Sequence, residues 1–180
     1  MSPPIKLRTL SSDRVRMVEE LVLWDAKVKD IQWLCETSDA EKLARSLYAR
    51  MGKRPPNGVI GSATSRGLRL FTKLQYTALA AEFVAAVESG MNDKDAMVCV
   101  YRRYWSEYHA RPGEASVSVS LWFSLARELN AKITNLWRCI GCGAQHLETE
   151  GQGRLNLRCP WCERQLPRSQ FQRSEMRKTA

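Results

Sequence analysis

Three features of this 180-residue chain predict a mainly α-helical fold carrying a C-terminal four-cysteine ribbon module. Cys139-Ile140-Gly141-Cys142 and Cys159-Pro160-Trp161-Cys162 are two C-x-x-C pairs with 16 residues between them. That spacing belongs to tetrahedral thiolate sites for zinc. From Val15 to Leu129, apolar residues return mostly every three or four positions, the period of a helix face. Proline and glycine interrupt that pattern at Pro55-Pro56-Asn57-Gly58, Gly90 and Pro112-Gly113, dividing it into separate helices.

Taken in order, Met1 to Leu10 reads as a flexible lead-in, and Ser11, Ser12 and Asp13 are candidate N-caps. Val15, Val18, Leu21, Val22, Val28, Ile31 and Leu34 then predict one amphipathic helix of about 20 residues, ending at Cys35. Ser38 and Glu41 have capping-box spacing before a second helix with Leu43, Leu47 and Met51 on its buried stripe, closed by Gly52. The pair is compatible with a helix-turn-helix. Leu68 to Glu88 predicts a helix, Gly90 its end, and Asn92 with Asp93 the cap of the next. That next helix carries Tyr101, Tyr104 and Tyr108 at core spacing. Ser116 to Ser120 alternates like a strand, but Leu121, Trp122, Leu125, Ala126 and Leu129 extend the pattern as a helix with serine caps. Cys35 reads as a packed small side chain, and Cys99 and His109 as structural or solvated residues.

Ile133 to Arg138 reads as an extended approach to the metal module. Gly141 and Gly143 are expected to supply positive φ in the first knuckle, and Pro160 to pre-set φ in the second. Gln145-His146-Leu147 and Arg154 to Arg158 are expected to be two strands around the turn at Gly151 and Gly153. Cys139, Cys142, Cys159 and Cys162 would close a shell around one structural Zn2+, leaving no position for substrate water. Two disulfides would need an oxidising compartment, and a redox C-x-x-C a βαβ context that is not visible. His146 is read as a solvated strand residue rather than a ligand. The resulting division is a helical domain at 1–132, a zinc ribbon at 133–166 and a flexible basic tail at 167–180.

Charge narrows the function. The formal net charge is +9, with a sequence pI of about 9.5. Lys42, Arg45, Arg50, Lys53, Arg54, Arg66, Arg69 and Lys73 stand in a stretch without Asp or Glu, although the chain has 19 acids. The small residues Gly58, Gly61, Ser62, Thr64, Ser65 and Gly67 lie among them, where backbone and hydroxyls can approach phosphates. We read Lys42, Arg45, Arg50, Lys53, Arg54, Arg66 and Arg69 as contacts to DNA, to phosphates more than to bases. No phosphate loop, H-E-x-x-H or G-x-S-x-G occurs, so the chain is not expected to be an enzyme. No apolar segment resembles a signal peptide or a membrane span, which implies a cytoplasmic protein.

The run Leu43-Ala44-Arg45-Ser46-Leu47-Tyr48, followed by Gly52 and Pro55-Pro56-Asn57-Gly58, resembles the L-x-x-L-Y…G-x-P-P-x-G stretch of the FlhC family. Val100-Tyr101-Arg102-Arg103-Tyr104 is similar to its A-Y-R-x-Y segment, and the two cysteine pairs to its cysteine cluster. The similarity runs from about Ile31 to Cys162. It implies a zinc-containing subunit of a transcription activator, a heterohexamer with an FlhD-like partner, that binds double-stranded promoter DNA and recruits RNA polymerase. It implies flagellar promoters or those of conjugative transfer. Val59-Ile60-Gly61-Ser62 departs from the flagellar pattern of L-P-x-S followed by a W-F pair, and the loop after the first cysteine pair diverges too. The alternative is a zinc-ribbon RNA-binding or assembly adaptor without promoter specificity.

Overall fold

The computed structural model describes residues 10–58, 70–108, 117–149, 159, 161 and 162. They form six helices and one antiparallel hairpin: α1 Ser12–Leu23, α2 Val28–Cys35, α3 Ser38–Arg50, α4 Leu70–Glu88, α5 Asp93–Tyr108, α6 Val119–Asn130, β1 Thr134–Arg138 and β2 Gln145–Thr149. The mainly helical expectation holds for them. The lead-in, Arg66 and Arg69, His109, Pro160, the expected strand at Arg154 to Arg158 and the basic tail lie outside the described residues. No described helix is long and apolar enough to cross a membrane. Contacts divide the chain into two units, Met1–Gly61 with Ser118–Phe123, and Ser62–Val117 with Ser124–Ala180.

In the first unit, Ser11 caps α1: its hydroxyl accepts from the Arg14 N–H and its carbonyl from the Val15 N–H. Val18, Leu21 and Val22 follow on one buried face. The expected single long helix is two. The Asp25 N–H bonds back to the Val22 carbonyl at 3.0 Å, and the Ala26 N–H to that of Leu21 at 2.9 Å. This is a Schellman ending, with Asp25 in the left-handed region at φ 57°. Chain direction changes there while Trp24, Ala26 and Val28 stay buried, so the apolar pattern runs across the break.

Glu36, also left-handed at φ 54°, ends α2. The cap of α3 is then Thr37, whose hydroxyl accepts from Asp39 N–H at 3.3 Å; Ser38 is already helical, so the cap falls one residue before the expected position. Ala40, Leu43, Ala44 and Tyr48 are the buried face of α3, against α1 and α2. The Tyr48 hydroxyl donates to the Ala26 carbonyl at 2.6 Å, pairing a polar group at the α1 break that burial would leave unsatisfied. Cys35 is buried, as expected, with its sulfur 4.0 Å from that of Met17.

In the second unit, Tyr76, Leu79, Ala80 and Phe83 make the core face of α4, and Ala96, Met97, Val100, Tyr101 and Tyr104 that of α5. Asn92 caps α5 through its side-chain oxygen, which accepts from Lys94 N–H at 3.0 Å. Tyr101 and Tyr104 are core residues with satisfied hydroxyls. Tyr101 donates to the Val117 carbonyl at 2.6 Å, and the Val117 N–H donates to the Tyr104 hydroxyl at 2.9 Å. Both backbone polar groups of one buried residue are thus held by phenols. The helix expected after the serines is α6, whose start belongs to the first unit and where the Ser118 carbonyl accepts from Trp122 N–H. Its end turns at Lys132, φ 58°, directly into β1.

Candidate metal centre

β1 and β2 pair antiparallel in the register Thr134↔Thr149, Leu136↔Leu147 and Arg138↔Gln145. The observed partner of β2 is therefore the strand leading into the first cysteine pair, and the knuckle Cys139 to Ala144 is the hairpin loop between them. Cys139 N–H donates to the Ala144 carbonyl at 2.8 Å, and Gly143 N–H to the Cys139 carbonyl at 2.7 Å. Gly143 takes φ +75°, which the tight reversal requires. Gly141 does not share that conformation; its N–H donates to the Cys139 sulfur at 3.3 Å instead. Leu147 N–H donates to the Thr77 hydroxyl, which ties β2 to α4.

The four cysteines come together as their spacing predicts. Their sulfurs all lie within 4.8 Å of one another, with Cys139 to Cys162 at 3.7 Å and Cys142 to Cys159 at 3.6 Å. A tetrahedral ion with metal–sulfur bonds of about 2.3 Å has sulfur–sulfur edges of about 3.8 Å. All six cysteines of the chain are free thiols. The cluster can hold one metal ion, and with four protein ligands the shell would be closed.

Local electrostatics prepare the sulfurs unequally. The Cys139 thiol is lowered to about 7, chiefly by the Cys142 backbone N–H, with Gly141 N–H and the sulfurs of Cys159 and Cys162 adding to it against its burial. At Cys142 the Ala144 N–H favours the thiolate, but burial of the sulfur and the three neighbouring sulfurs outweigh it and push the thiol up to about 12. The residue as a whole is exposed while its sulfur sits in the cluster. Four mutually close thiolates repel one another, and a bound cation is what would let all four lose their protons.

His146 is not solvated: it is buried on β2 opposite Trp137, and it stands outside the cysteine cluster. A strand pattern of polar residues does not reveal that the hairpin packs against α4. Trp161 has a structural role that the sequence does not announce. Its indole N–H donates to the Gln145 carbonyl at 3.1 Å, fastening the second knuckle to the start of β2.

Of the residues read as DNA contacts, Lys42, Arg45, Arg50, Lys53 and Arg54 all lie on or just after α3 with their charged ends open to solvent. Three have acidic neighbours from outside the acid-free stretch: Lys42 pairs with Asp39 at 3.1 Å, Arg45 with Glu41 at 2.9 Å and Lys53 with Asp25 at 3.1 Å. Exposed pairs of this kind contribute about 0–1 kcal/mol, so their cations can exchange for phosphate. Arg50 and Arg54 have no ion pair among the described residues and flank the α3 C-cap, Met51. No protein-family model matches this chain, and a search of curated proteins likewise finds no match.

Proposed function

We propose that the chain is a DNA-binding transcriptional activator subunit of the FlhC type, with one structural zinc ion held by Cys139, Cys142, Cys159 and Cys162. It works in the cytoplasm in a hetero-oligomer with an FlhD-like partner, a heterohexamer, recruiting RNA polymerase at flagellar or conjugative-transfer promoters. The observation that carries this reading is the exposed basic group Arg50, Lys53 and Arg54, at the end of the helix that bears the family-like L-x-x-L-Y run. A cation at a helix C-terminus is also favoured by the helix dipole, so the group is stable while awaiting an anion. Zinc fits the closed all-thiolate set better than harder ions, which prefer oxygen. The ribbon builds the module; it catalyses nothing.

The test is a mobility-shift titration at fixed salt with promoter and scrambled duplexes, with this chain alone, an FlhD-like protein alone, and both. Weak and poorly selective binding is expected for the chain alone, and tight promoter-selective binding with the partner. Removing Arg50 and Arg54 should lower affinity for every duplex and reduce the salt slope by about 1 for each phosphate no longer neutralised. Affinity unchanged in that variant would move the DNA surface elsewhere. Preference for RNA, or no promoter selectivity with the partner present, would favour the adaptor reading.

A further inference from the structure

The two knuckles of the cysteine cluster are held differently. Cys139 and Cys142 belong to the loop of the β1–β2 hairpin, and that loop is closed by its own backbone. Cys139 N–H donates to the Ala144 carbonyl, Gly143 N–H to the Cys139 carbonyl, and Gly141 N–H to the Cys139 sulfur. The hairpin is tied in turn to α4 through Thr77. Cys159 and Cys162 reach the cluster from the far end of a 16-residue connection. Among the described residues, their knuckle makes one hydrogen bond to the hairpin besides the sulfur contacts, from the Trp161 indole N–H to the Gln145 carbonyl at 3.1 Å. Pairing within the hairpin explains why that carbonyl is open. Cys139 and Ala144 are hydrogen-bonded, so at the next pair, Arg138 and Gln145, the backbone groups turn away from the facing strand. The Gln145 carbonyl therefore points off the outer edge of β2, as does the Leu147 N–H that donates to Thr77.

We infer that Trp161 is a positioning residue of the metal centre, a latch that keeps Cys159 and Cys162 on the ion and slows its loss. The inference rests on the metal reading of the four cysteines. Magnitudes decide how the latch acts. Closing a connection of 16 residues costs more entropy than one exposed hydrogen bond returns, so the bond does not hold the second knuckle in place without a metal. Once an ion has drawn four thiolates together, the loop is already closed, and the indole meets its carbonyl with little further ordering. The bond then strengthens the loaded state alone. An arriving metal is caught by the first knuckle, which the hairpin forms beforehand, so capture does not involve Trp161. A departing metal must lose the second knuckle first, and that movement breaks the indole bond. Hydrogen bonds just outside a ligand set tune metal retention in the same sense.

Stopped-flow kinetics on the full-length chain separates the two steps. Uptake is followed by mixing reduced, metal-free chain with Co2+ and recording the thiolate-to-cobalt absorption. Release is followed by mixing zinc-loaded chain with an excess of a chromogenic chelator. Trp161→Phe keeps a ring and removes the N–H. It should release zinc about 2- to 13-fold faster, while taking up cobalt at the wild-type rate and showing the wild-type cobalt spectrum. Replacing the indole of Trp161 by benzothiophene, which has sulfur in place of the N–H, should give the same split, and decides the question if Trp161→Phe does not load. A packing role alone would instead let benzothiophene, of nearly the same shape, keep wild-type release. Trp33→Phe, at an exposed tryptophan on α2, should alter neither rate. Wild-type release from a variant with the wild-type cobalt spectrum, or slower uptake with release unchanged, would overturn the latch and leave the metal site standing. A wild-type chain that takes up neither Zn2+ nor Co2+ would overturn the metal reading and the latch together.

Discussion

Tyr48 is fully buried, and its hydroxyl donates to the Ala26 carbonyl at the break between α1 and α2. Tyr48→Phe leaves that carbonyl unpaired and should cost about 1–3 kcal/mol in urea unfolding. Burial foremost, and then the charge of Asp25, raise the phenol above its ordinary value of 10.0. The unfolded chain ionises this tyrosine near its ordinary value while the native chain keeps it protonated. Its contribution is therefore complete below about pH 10 and is lost as pH rises beyond it. The stability gap between wild type and Tyr48→Phe should shrink over that range; a gap constant with pH would contradict the assignment. At the cluster the sign runs the other way. A Cys142 thiol pushed up to about 12 holds its proton at neutral pH, so metal binding must displace it. Metal affinity should fall as pH falls, and calorimetry in buffers of different ionisation enthalpy should register protons released.

At the scale of elements, α1 and α3 end with the same hydrogen-bond pattern on different residues, Asp25 at φ 57° and Gly52 at φ 66°. A Cβ at Gly52 would meet nothing within 4 Å, so the cost of Gly52→Ala is conformational, about 1–2 kcal/mol, read from a lowered midpoint in thermal or urea unfolding. Asp25→Gly relieves the left-handed residue but removes the exposed pair with Lys53, and should be nearly neutral. This contrast explains what could be read from the chain. Gly52 announces the end of α3 because glycine is the usual residue there, whereas Asp25 carries no comparable mark inside a continuous apolar pattern. The four-cysteine cluster was legible because two C-x-x-C pairs constrain geometry almost regardless of context. The pairing of β2 with β1 was not, since a glycine turn on either side of β2 allows a hairpin; the strand expected at Arg154 to Arg158 lies outside the described residues. The charge along α3 was legible, but not which acids stand beside it. Asp39 and Glu41 lie just before the acid-free stretch, and Asp25 comes from the break after α1.

For the whole molecule, metal and fold should be coupled unevenly. The helical core of the first unit rests on residues such as Val18, Leu21, Ile31 and Tyr48, with no ligand cysteine among them. Chelation should therefore abolish the structure of the ribbon while the far-UV helical signal of the first unit survives; complete loss of helix on chelation would show that the first unit also depends on the metal. Any one ligand changed to Ser should lower metal retention far more than Cys35→Ser or Cys99→Ser. The distribution of thiols gives these experiments their own clock. Cys99 is exposed and outside the cluster, Cys35 is buried in the first unit, and the other four share the site. A thiol-reactive dye should thus count the chain in three kinetic classes: Cys99 at once, four more when a chelator is added, and Cys35 only as the first unit opens. The rate of that last class measures opening of the helical core independently of the metal, in the same cuvette and without a single substitution.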